Sequence, residues 1–302
     1  MKLSIIIVSW KVKDLLRNCL RSLEEEQTAV DFETWVVDNN SGDGTVEMVR
    51  KEFPKVKLIA SKDNNGFARG NNIALERVGS EYVLLLNPDT EVLPGALANM
   101  LKFMDEHPQA GAVGPKLLNP DQTLQPSCKA FPTISTLIFN SLLLDVIFPK
   151  SKIFNRYEMS RWSHDEVREV DQPMGAALMV RKSVIDKIGF MDERFYMFFD
   201  EVDWCYRIKK EDYKIFFTPE PQIIHHGGQS IKSAEMRMSY HWHRSLKYFF
   251  LKHYGIQEWV TGLLIGAMFG VKIGLGILVI MIVWWIGRSV FFGPLNPPEG
   301  GL

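Results

Sequence analysis

The stretch YVLLLNPDTEV, from Tyr82 to Val92, decides the fold class of this chain. Its apolar part, 83–86, shows no alternation with polar residues, which is typical of a strand buried on both faces of a parallel sheet. The next residues cannot extend that strand, because Pro88 has no amide donor and the carboxylates of Asp89 and Glu91 are costly to bury unpaired. Polar groups just beyond the carboxyl end of such a strand lie where α/β sheets bind ligands. A solvated turn with a polar side chain capping the next segment is the alternative.

Upstream of this strand, short β-rich runs alternate with amphipathic segments. The apolar runs predict strands at residues 3–8, 32–37, 56–60 and 82–86. Apolar side chains at helical spacing predict helices through residues 15–23, 46–53 and 73–78. This alternating order predicts an α/β fold with a mostly parallel, doubly wound sheet flanked by helices.

Composition and charge exclude several classes of protein. The 302 residues include 35 Lys and Arg against 36 Asp and Glu, so the chain has no basic field for a nucleic-acid partner. Cys19, Cys128 and Cys205 lack metal-ligand spacing, and their odd number argues against a disulfide framework and fits a reducing compartment. The apolar run at the N-terminus is too short for a signal peptide and leads directly into the first predicted strand.

Two apolar stretches predict contact with a membrane. Between Trp259 and Phe292 almost every residue is apolar, and a helix over 260–287 would be about 42 Å long against roughly 30 Å of bilayer hydrocarbon. We therefore expect a membrane-associated helical segment at 256–292, either a tilted span or two interfacial helices, with a buried hairpin of core helices as the alternative. Residues 293–302 are expected to form a disordered tail. The apolar stretch 134–148 predicts either a core helix or a membrane-facing segment.

Four clusters rich in Asp, Asn and Gly predict a ligand site. They are residues 38–45, 64–72, 87–91 and 200–207. A parallel sheet brings the carboxyl ends of its strands together, and a rim with few basic residues suits a diphosphate bridged by Mg²⁺ or Mn²⁺ better than a bare phosphate. The loop after the first predicted strand, SWKVKDLL, contains no glycine, and a P-loop is absent, so the chain is not a typical dehydrogenase or NTPase.

Six segments occur in the order found in family 2 glycosyltransferases. They are SIIIVSW, VVDNNSGDGT, NNGFARGNN, LLLNPDTEV, GAALMVRKSVIDKIGFMDERFYMFFDEVDWCYR and IIHHGGQS. Over roughly residues 1–255 the chain resembles this family, and most of all its bacterial rhamnosyltransferase-like members that build cell-surface polysaccharides. The resemblance implies a GT-A fold, a nucleotide-sugar donor, a divalent metal and inversion at the anomeric carbon. It also implies a nucleotide-binding half at about 1–95 and an acceptor half at about 96–255.

The resemblance assigns the donor site to residues at the strand ends. Asn87 stands in place of the first Asp of the family's Asp-x-Asp motif, where it can still bond a ribose hydroxyl, and Asp89 stands in place of the final, metal-binding Asp. His225 falls where family members carry a metal-ligating histidine. The other implied nucleotide-sugar contacts are Asp38, which matches the carboxylate that accepts the N3–H of uracil or thymine, Trp10 beside that base, the adjacent Ser9, and Gly66 and Asn71. A core position for Trp10 and ordinary turn chemistry for the Asn/Gly loop are the alternatives.

The resemblance assigns the acceptor side to FFDEVDWCYR and to the small residues before it. Glu201 aligns with the catalytic base that takes the acceptor's proton, and Asp200 is its neighbour and the alternative base. One base is enough, because the leaving diphosphate needs no proton. The implied acceptor-binding residues are Gly175, Ala176, Asp203 and Trp204.

The sequence thus predicts a metal-dependent, inverting glycosyltransferase. The expected donor is a dTDP- or UDP-sugar, with L-rhamnose as the first guess, and the expected acceptor is a lipid-linked saccharide at the cytoplasmic face of the cell membrane. The sequence neither predicts nor excludes a homo-oligomer. A sugar-phosphate nucleotidyltransferase is one alternative, but the Gly-rich first loop of that class is not supplied by SWKVKDLL. An inactive membrane scaffold is another, against which the joint presence of Asp38, Asp89, Glu201 and His225 argues.

Overall fold

The computed structural model describes residues 1–27, 29–148, 151, 153–159, 162–227, 235–257, 260–263, 265, 266, 270 and 274. The strands are β1 (Leu3–Ser9), β2 (Phe32–Asp38), β3 (Lys57–Ala60), β4 (Tyr82–Leu86), β5 (Thr90–Val92), β6 (Ala110–Leu118), β7 (Leu124–Gln125), β8 (Cys128–Lys129), β9 (Arg168–Glu169), β10 (Gln172–Pro173), β11 (Ala177–Arg181) and β12 (Lys214–His225). The helices are α1 (Lys13–Glu26), α2 (Thr45–Glu52), α3 (Gly66–Leu75), α4 (Ala96–Glu106), α5 (Ile134–Ser141), α6 (Leu144–Ile147), α7 (Lys182–Ile188), α8 (Asp200–Lys210) and α9 (Glu235–Tyr254).

One mixed sheet runs through both halves of the chain, in the order β3-β2-β1-β4-β11-β6-β12-β5. The strands β1 to β4 are parallel to one another, as the alternating pattern predicts, and β12 is parallel to β6. In contrast, β11 is antiparallel to both β4 and β6, and β5 is antiparallel to β12. The predicted α/β class is confirmed, but the prediction of a mostly parallel sheet holds only for β1 to β4: among the described residues the sheet that joins the two halves is mixed, with four parallel and five antiparallel strand pairings.

The sheet is buried on both faces, which explains the uninterrupted apolar strands. In β4 every residue is buried, with Tyr82, Leu84 and Leu86 in one core cluster and Val83 and Leu85 in the other. Because side chains alternate across a strand, each face needs its own apolar set, and a strand between two helical layers reads as a continuous run. The burial predicted for this strand is therefore confirmed.

The residues after β4 form a strand, not a solvated turn. Residues 90–92 make up β5, which pairs with the end of β12, and Thr90 lies opposite His225. This pairing fixes the turn between β4 and β5, because the amide of Asn87 donates to the carbonyl of Ala176 at 2.9 Å and the amide of His226 donates to the carbonyl of Asp89 at 2.9 Å. The turn is held from both sides.

A third apolar cluster joins α5 to α9. Leu137 packs against Leu246, Phe249 and Phe250 of α9, together with Phe195 and Phe199 from the loop before α8. The apolar side chains that α5, α6 and the following loop leave exposed are Ile134, Ile138, Leu142, Val146, Ile147, Phe148 and Ile153.

The structure does not test the whole predicted membrane segment. Most of 256–292 and all of the predicted tail 293–302 lie outside the described residues. Over the residues that the structure describes, every helix is too short or too polar to cross a bilayer.

Candidate active site

A cavity of about 280 Å³ opens at the carboxyl ends of β1 and β4. The predicted site residues that line it are Trp10, Gly66, Asn87, Asp89, Gly175, Ala176, Asp200, Glu201 and His225. Asn39 and Asn64 also line it, and in the sequence they stand out only as members of the polar clusters. The fold therefore brings most of the predicted donor and acceptor residues to one place.

Asp89 and His225 lie side by side at the junction of β5 and β12. Nε2 of His225 is 3.4 Å from Oδ1 of Asp89 and 3.4 Å from Nδ2 of Asn87, and all three side chains face the cavity. Adjacent ligands of an octahedral ion with bonds of about 2.1 Å lie about 3 Å apart, so the pair Asp89 and His225 fits a shared divalent cation. Within the described part of the chain no group of three or more His, Cys, Asp or Glu side chains could hold a metal. The remaining ligands would have to come from a bound molecule such as a diphosphate.

The two acids at the start of α8 are in different environments. Asp200 is 2% exposed, and its Oδ1 accepts a hydrogen bond from the amide of Glu201 at 3.1 Å, whereas its Oδ2 has no partner among the described residues. Burial, together with the charge of Glu201, raises the pKa of Asp200 well above the ordinary value of an aspartate. Glu201 is half-buried and faces the cavity. Glu201 is therefore the accessible carboxylate of the two.

The backbone before these acids is held in an unfavourable conformation. Phe198 and Phe199 have φ angles of 64° and 63°, in the left-handed region, which costs an L-residue roughly 1–2 kcal/mol. The hydroxyl of Ser245 on α9 donates to the carbonyl of Met197 at 3.0 Å, and Phe199 is buried in the cluster around α9. Packing against α9 thus holds the turn that aims Asp200 and Glu201 at the cavity.

Gly175 makes room for Glu201. A Cβ atom built on Gly175 would lie 3.2 Å from Cγ and 3.3 Å from Cβ of Glu201, which is tighter than ordinary contact. The prediction that bulk at 175 would block the site stays a prediction, but the first side chain that such bulk would displace is that of Glu201.

Unpartnered polar atoms gather at the ends of β1 and β2. Ser9 lies opposite Asp38 in the β1–β2 register, and the amide of Ser41 donates to Oδ2 of Asp38 at 3.1 Å. In the part of the chain that the structure covers, Oγ of Ser9, Oδ1 of Asp38 and Oδ1 of Asn39 are buried without a hydrogen-bond partner. Buried polar atoms are normally paired, so three together indicate a polar ligand here. Ser9 and Asp38 do not line the cavity themselves, but Asn39 does.

Asn71 is not placed as predicted. The loop NNGFARGNN continues into α3, which begins at Gly66, and the side chain of Asn71 donates to the carbonyl of Phe67 within the same helix at 3.0 Å. It is 1% exposed and does not line the cavity. Gly66 does line it, with a φ of 73° and no room for a Cβ, which would lie 2.3 Å from the carbonyl oxygen of Tyr196.

Asp203 and Trp204 do not face the cavity either, and the structure corrects their predicted acceptor role. The carboxylate of Asp203 is fully buried, with Nζ of Lys252 at 2.5 Å, Nε2 of His253 at 2.7 Å and Nε of Arg207 at 2.9 Å. The indole nitrogen of Trp204 donates to the carbonyl of Gly189 at 3.0 Å. Both side chains lie on the core side of α8 and join it to its neighbours.

The sheet and the cavity define an α/β protein with a candidate ligand site at the carboxyl ends of its strands, and comparison with known proteins narrows this class. Residues 4–148 match the family model described as Glycosyl transferase family 2. Over these residues, just under half of the chain, the protein is similar to glycosyltransferase family 2.

The relatives of the chain include rhamnosyltransferases. It is 27% identical over 206 residues to an N-acetylglucosaminyl-diphospho-decaprenol L-rhamnosyltransferase of Mycobacterium tuberculosis, in a match that covers 65% of this chain and 66% of that protein. It is 23% identical over 249 residues to the rhamnosyltransferase WbbL of Escherichia coli, in a match that covers 79% of this chain and 88% of WbbL.

Solved structures share the fold. The mannosyltransferase PcManGT from Pyrobaculum calidifontis, in complex with GDP-Man and Mn²⁺, gives a TM-score of 0.60 at 15% identity over 96% of this chain and 81% of PcManGT. Residues 1-349 of S. aureus TarS in complex with UDP give 0.51 at 18% identity over 74% of this chain and 60% of that one. At this identity the likeness defines a GT-A-like fold alone.

Proposed function

We propose that this protein is a metal-dependent, inverting glycosyltransferase that moves a sugar, with L-rhamnose as the first choice, from a dTDP- or UDP-sugar to a lipid-linked saccharide. The observation that carries the proposal is that Asp89, His225 and Glu201, from three distant segments, face one cavity, beside atoms of Ser9 and Asp38 that have no hydrogen-bond partner among the described residues. The names of the mycobacterial relative and of WbbL support rhamnosyl transfer, and that of the mycobacterial relative supports a lipid-diphosphate acceptor.

The donor is bound by its base and by its diphosphate. Oδ1 of Asp38 would accept the N3–H of uracil or thymine, with Ser9 opposite it in the β1–β2 register. Asp89 and His225 would hold Mg²⁺ or Mn²⁺. When bound, such an ion neutralises the charge that develops on the departing diphosphate. Asn87, which adds no charge, donates a hydrogen bond next to that position.

The acceptor hydroxyl is activated by Glu201. The oxygen of the acceptor hydroxyl forms a bond to the anomeric carbon while the bond from that carbon to the diphosphate breaks, and Glu201 takes the hydroxyl proton. Attack from the face opposite the leaving group inverts the anomeric carbon. Burial and the charge of Glu201 raise the pKa of Asp200, which disfavours a second negative charge beside the base.

We place this reaction at the cytoplasmic face of the cell membrane. Two features support the location: the exposed apolar side chains of α5 and α6, and the apolar sequence from Trp259 to Phe292. A lipid-linked saccharide would reach the cavity from that surface.

A donor screen tests the proposal. Purified protein in detergent is given UDP-, dTDP- and GDP-sugars with and without Mn²⁺ or Mg²⁺, and nucleoside diphosphate release and thermal shift are followed. We expect metal-dependent release with one dTDP- or UDP-sugar and its loss, by about 100-fold or more, in Asp89→Ala. The matched control is Glu91→Ala, which removes a carboxylate from the same segment that pairs with His226. No response of the folded wild-type protein to any nucleotide would sink the proposal and favour an inactive scaffold.

A further inference from the structure

We propose that Gln125 is a positioning residue that presents the unprotonated Nε2 atom of His225 to the divalent cation, an inference that rests on the proposed function. Gln125 ends β7, and its Oε1 lies 2.7 Å from Nδ1 of His225. The two residues are 100 positions apart in the sequence, and β6 brings them together because it pairs with both β7 and β12.

The orientation of the Gln125 amide is fixed by its second set of contacts. Its Nε2 donates to the backbone carbonyl of His225 at 3.2 Å and to Oδ1 of Asn119 at 3.0 Å. A backbone carbonyl can only accept a hydrogen bond, so a flipped amide would set its own oxygen against that carbonyl. Oε1 of Gln125 therefore faces the ring of His225.

The amide of Asn119 is fixed by the same logic. Its Nδ2 donates to the carbonyl of Leu124 at 3.3 Å and to Oγ1 of Thr123 at 2.9 Å. The Thr123 hydroxyl in turn donates a hydrogen bond to Oδ1 of Asp121 at 2.6 Å. Oδ1 of Asn119 is thus left as the acceptor for Gln125. The whole chain of hydrogen bonds has one consistent direction, anchored by a carboxylate and two backbone carbonyls.

This direction decides which tautomer His225 adopts. Because Oε1 of Gln125 can only accept, Nδ1 of His225 carries a proton, and the neutral ring has its lone pair on Nε2. That atom faces Oδ1 of Asp89 at 3.4 Å. The amide nitrogen of Asn87, also 3.4 Å away, can donate to this lone pair, and a cation bound to both Nε2 and the carboxylate would remove the repulsion between them. Gln125 therefore holds the ring in its metal-binding form.

The tautomer can be measured without metal or substrate. Wild-type protein with ¹⁵N-labelled histidine is studied by two-bond ¹H–¹⁵N NMR, and the His225 signals are assigned by their loss in His225→Gln. We expect the proton on Nδ1 in the wild type and a shift towards the Nε2-protonated tautomer in Gln125→Met, which keeps a similar volume without an amide. A wild-type ring protonated on Nε2 alone would overturn the proposal.

The consequence for the metal is measured as Mn²⁺ affinity in the presence of dTDP or UDP, by electron paramagnetic resonance of the free ion. We expect Gln125→Met to weaken Mn²⁺ binding by about 10- to 100-fold, as is typical for partners that orient a metal ligand. Gln125→Glu, which keeps an acceptor for the Nδ1 proton, should retain more of the affinity. The matched control is Gln222→Met, the same chemical change on the strand that carries His225.

The outcomes separate this proposal from the proposed function. Wild-type affinity in Gln125→Met, together with weakened binding in His225→Ala, would overturn the role of Gln125 and leave the glycosyltransferase site intact. A wild-type protein that binds neither nucleotide nor Mn²⁺ would overturn both. Urea unfolding of each variant shows whether a loss of affinity comes from the site or from a loss of the fold.

Discussion

At the scale of the residue, two adjacent carboxylates at the start of α8 differ in what they can do. Both line the cavity, but Asp200 is almost fully buried and its pKa is raised, whereas Glu201 is half-buried. Adjacent acids in one motif look equivalent in a sequence. Burial separates them, because desolvation disfavours the charged form of only the buried one.

This difference predicts unequal effects of two matched substitutions. We expect Glu201→Gln to lower kcat by about 10²- to 10⁴-fold, the usual contribution of a general base, with little change in the Kd for the nucleotide. Asp200→Asn should cost less than about tenfold, because the raised pKa of Asp200 favours the uncharged carboxyl, which an amide resembles. Steady-state kinetics and nucleotide titration of both variants test this. The opposite order of the two effects would make Asp200 the base.

At the scale of the element, the packing of α8 on α9 depends on one buried ion cluster. Asp203 of α8 meets Lys252 and His253 of α9, and Lys252 also pairs with Asp192 at 2.8 Å. Burial pushes the pKa of Asp203 up, but the hydrogen bond from His253 and the charges of Arg207 and Lys252 outweigh it, so the pKa lies below the ordinary value. The cluster is therefore charged in the folded protein.

We expect Asp203→Asn to lower the free energy of unfolding by about 3–5 kcal/mol, because it removes the buried charge that Arg207 and Lys252 share and leaves Lys252 with Asp192 alone. Urea unfolding measures the loss. The control is Asp186→Asn, which breaks an exposed pair with Lys182 and should cost less than about 1 kcal/mol. A stable Asp203→Asn variant with impaired acceptor binding would restore the acceptor role that the geometry argues against.

The same cluster makes the stability of the folded protein depend on pH. The pKa of Asp203 and that of Asp192 are both lowered, so the folded state binds fewer protons than the unfolded state near the ordinary aspartate value of about 3.9. The stability that these groups contribute is present above about pH 4 and is lost as the pH falls further. Asp203→Asn should make this acid loss shallower.

Periodicity predicts the elements of this protein better than it predicts their faces. The apolar runs predict β1 to β4 within about two residues. β1, β2 and β4 are largely buried, whereas β3 is an edge strand with no buried residue. β5 is not predictable in this way, since three residues after a proline carry no pattern and the strand forms only against β12. Asp203 lies about 200° round α8 from Glu201, because a helix turns about 100° per residue, whereas Trp204 is only about 60° away and is kept from the cavity by its complete burial.

The candidate site shows the same division between local and distant information. Asp89 and His225 were predictable from motifs, since each lies at a strand end. Gln125 was not, because its partner is 100 residues away and a single polar residue in a short hairpin has no periodic signal. Side-chain hydrogen bonds between distant segments are decided by the register of β6 with its two neighbours.

At the scale of the whole molecule, the exposed apolar side chains of α5 and α6 predict binding to a lipid surface. Val146 and Ile147 are 66% and 60% exposed. We expect the full chain to float with vesicles of phosphatidylethanolamine and phosphatidylglycerol. The double change Val146→Glu with Ile147→Glu should weaken that partition by roughly tenfold or more, because it replaces apolar side chains that would be buried in the lipid by charges.

The control for membrane binding is Val167→Glu, which adds a charge at an exposed valine of similar exposure, 49%, outside α5 and α6. It should partition as the wild type does. Equal partition of the double variant and the wild type would mean that α5 and α6 face water.

The position of β11 has a consequence for how the protein is made. A ribosome delivers β4 early, but the strand that covers its free edge is β11, at residues 177–181. At roughly 5–20 residues per second, the intervening stretch of about 90 residues takes on the order of 5–20 s, during which that edge is an open template for another chain. Translation that stalls between these strands should therefore yield nascent chains that need a chaperone, although β1 to β4 have all been synthesised.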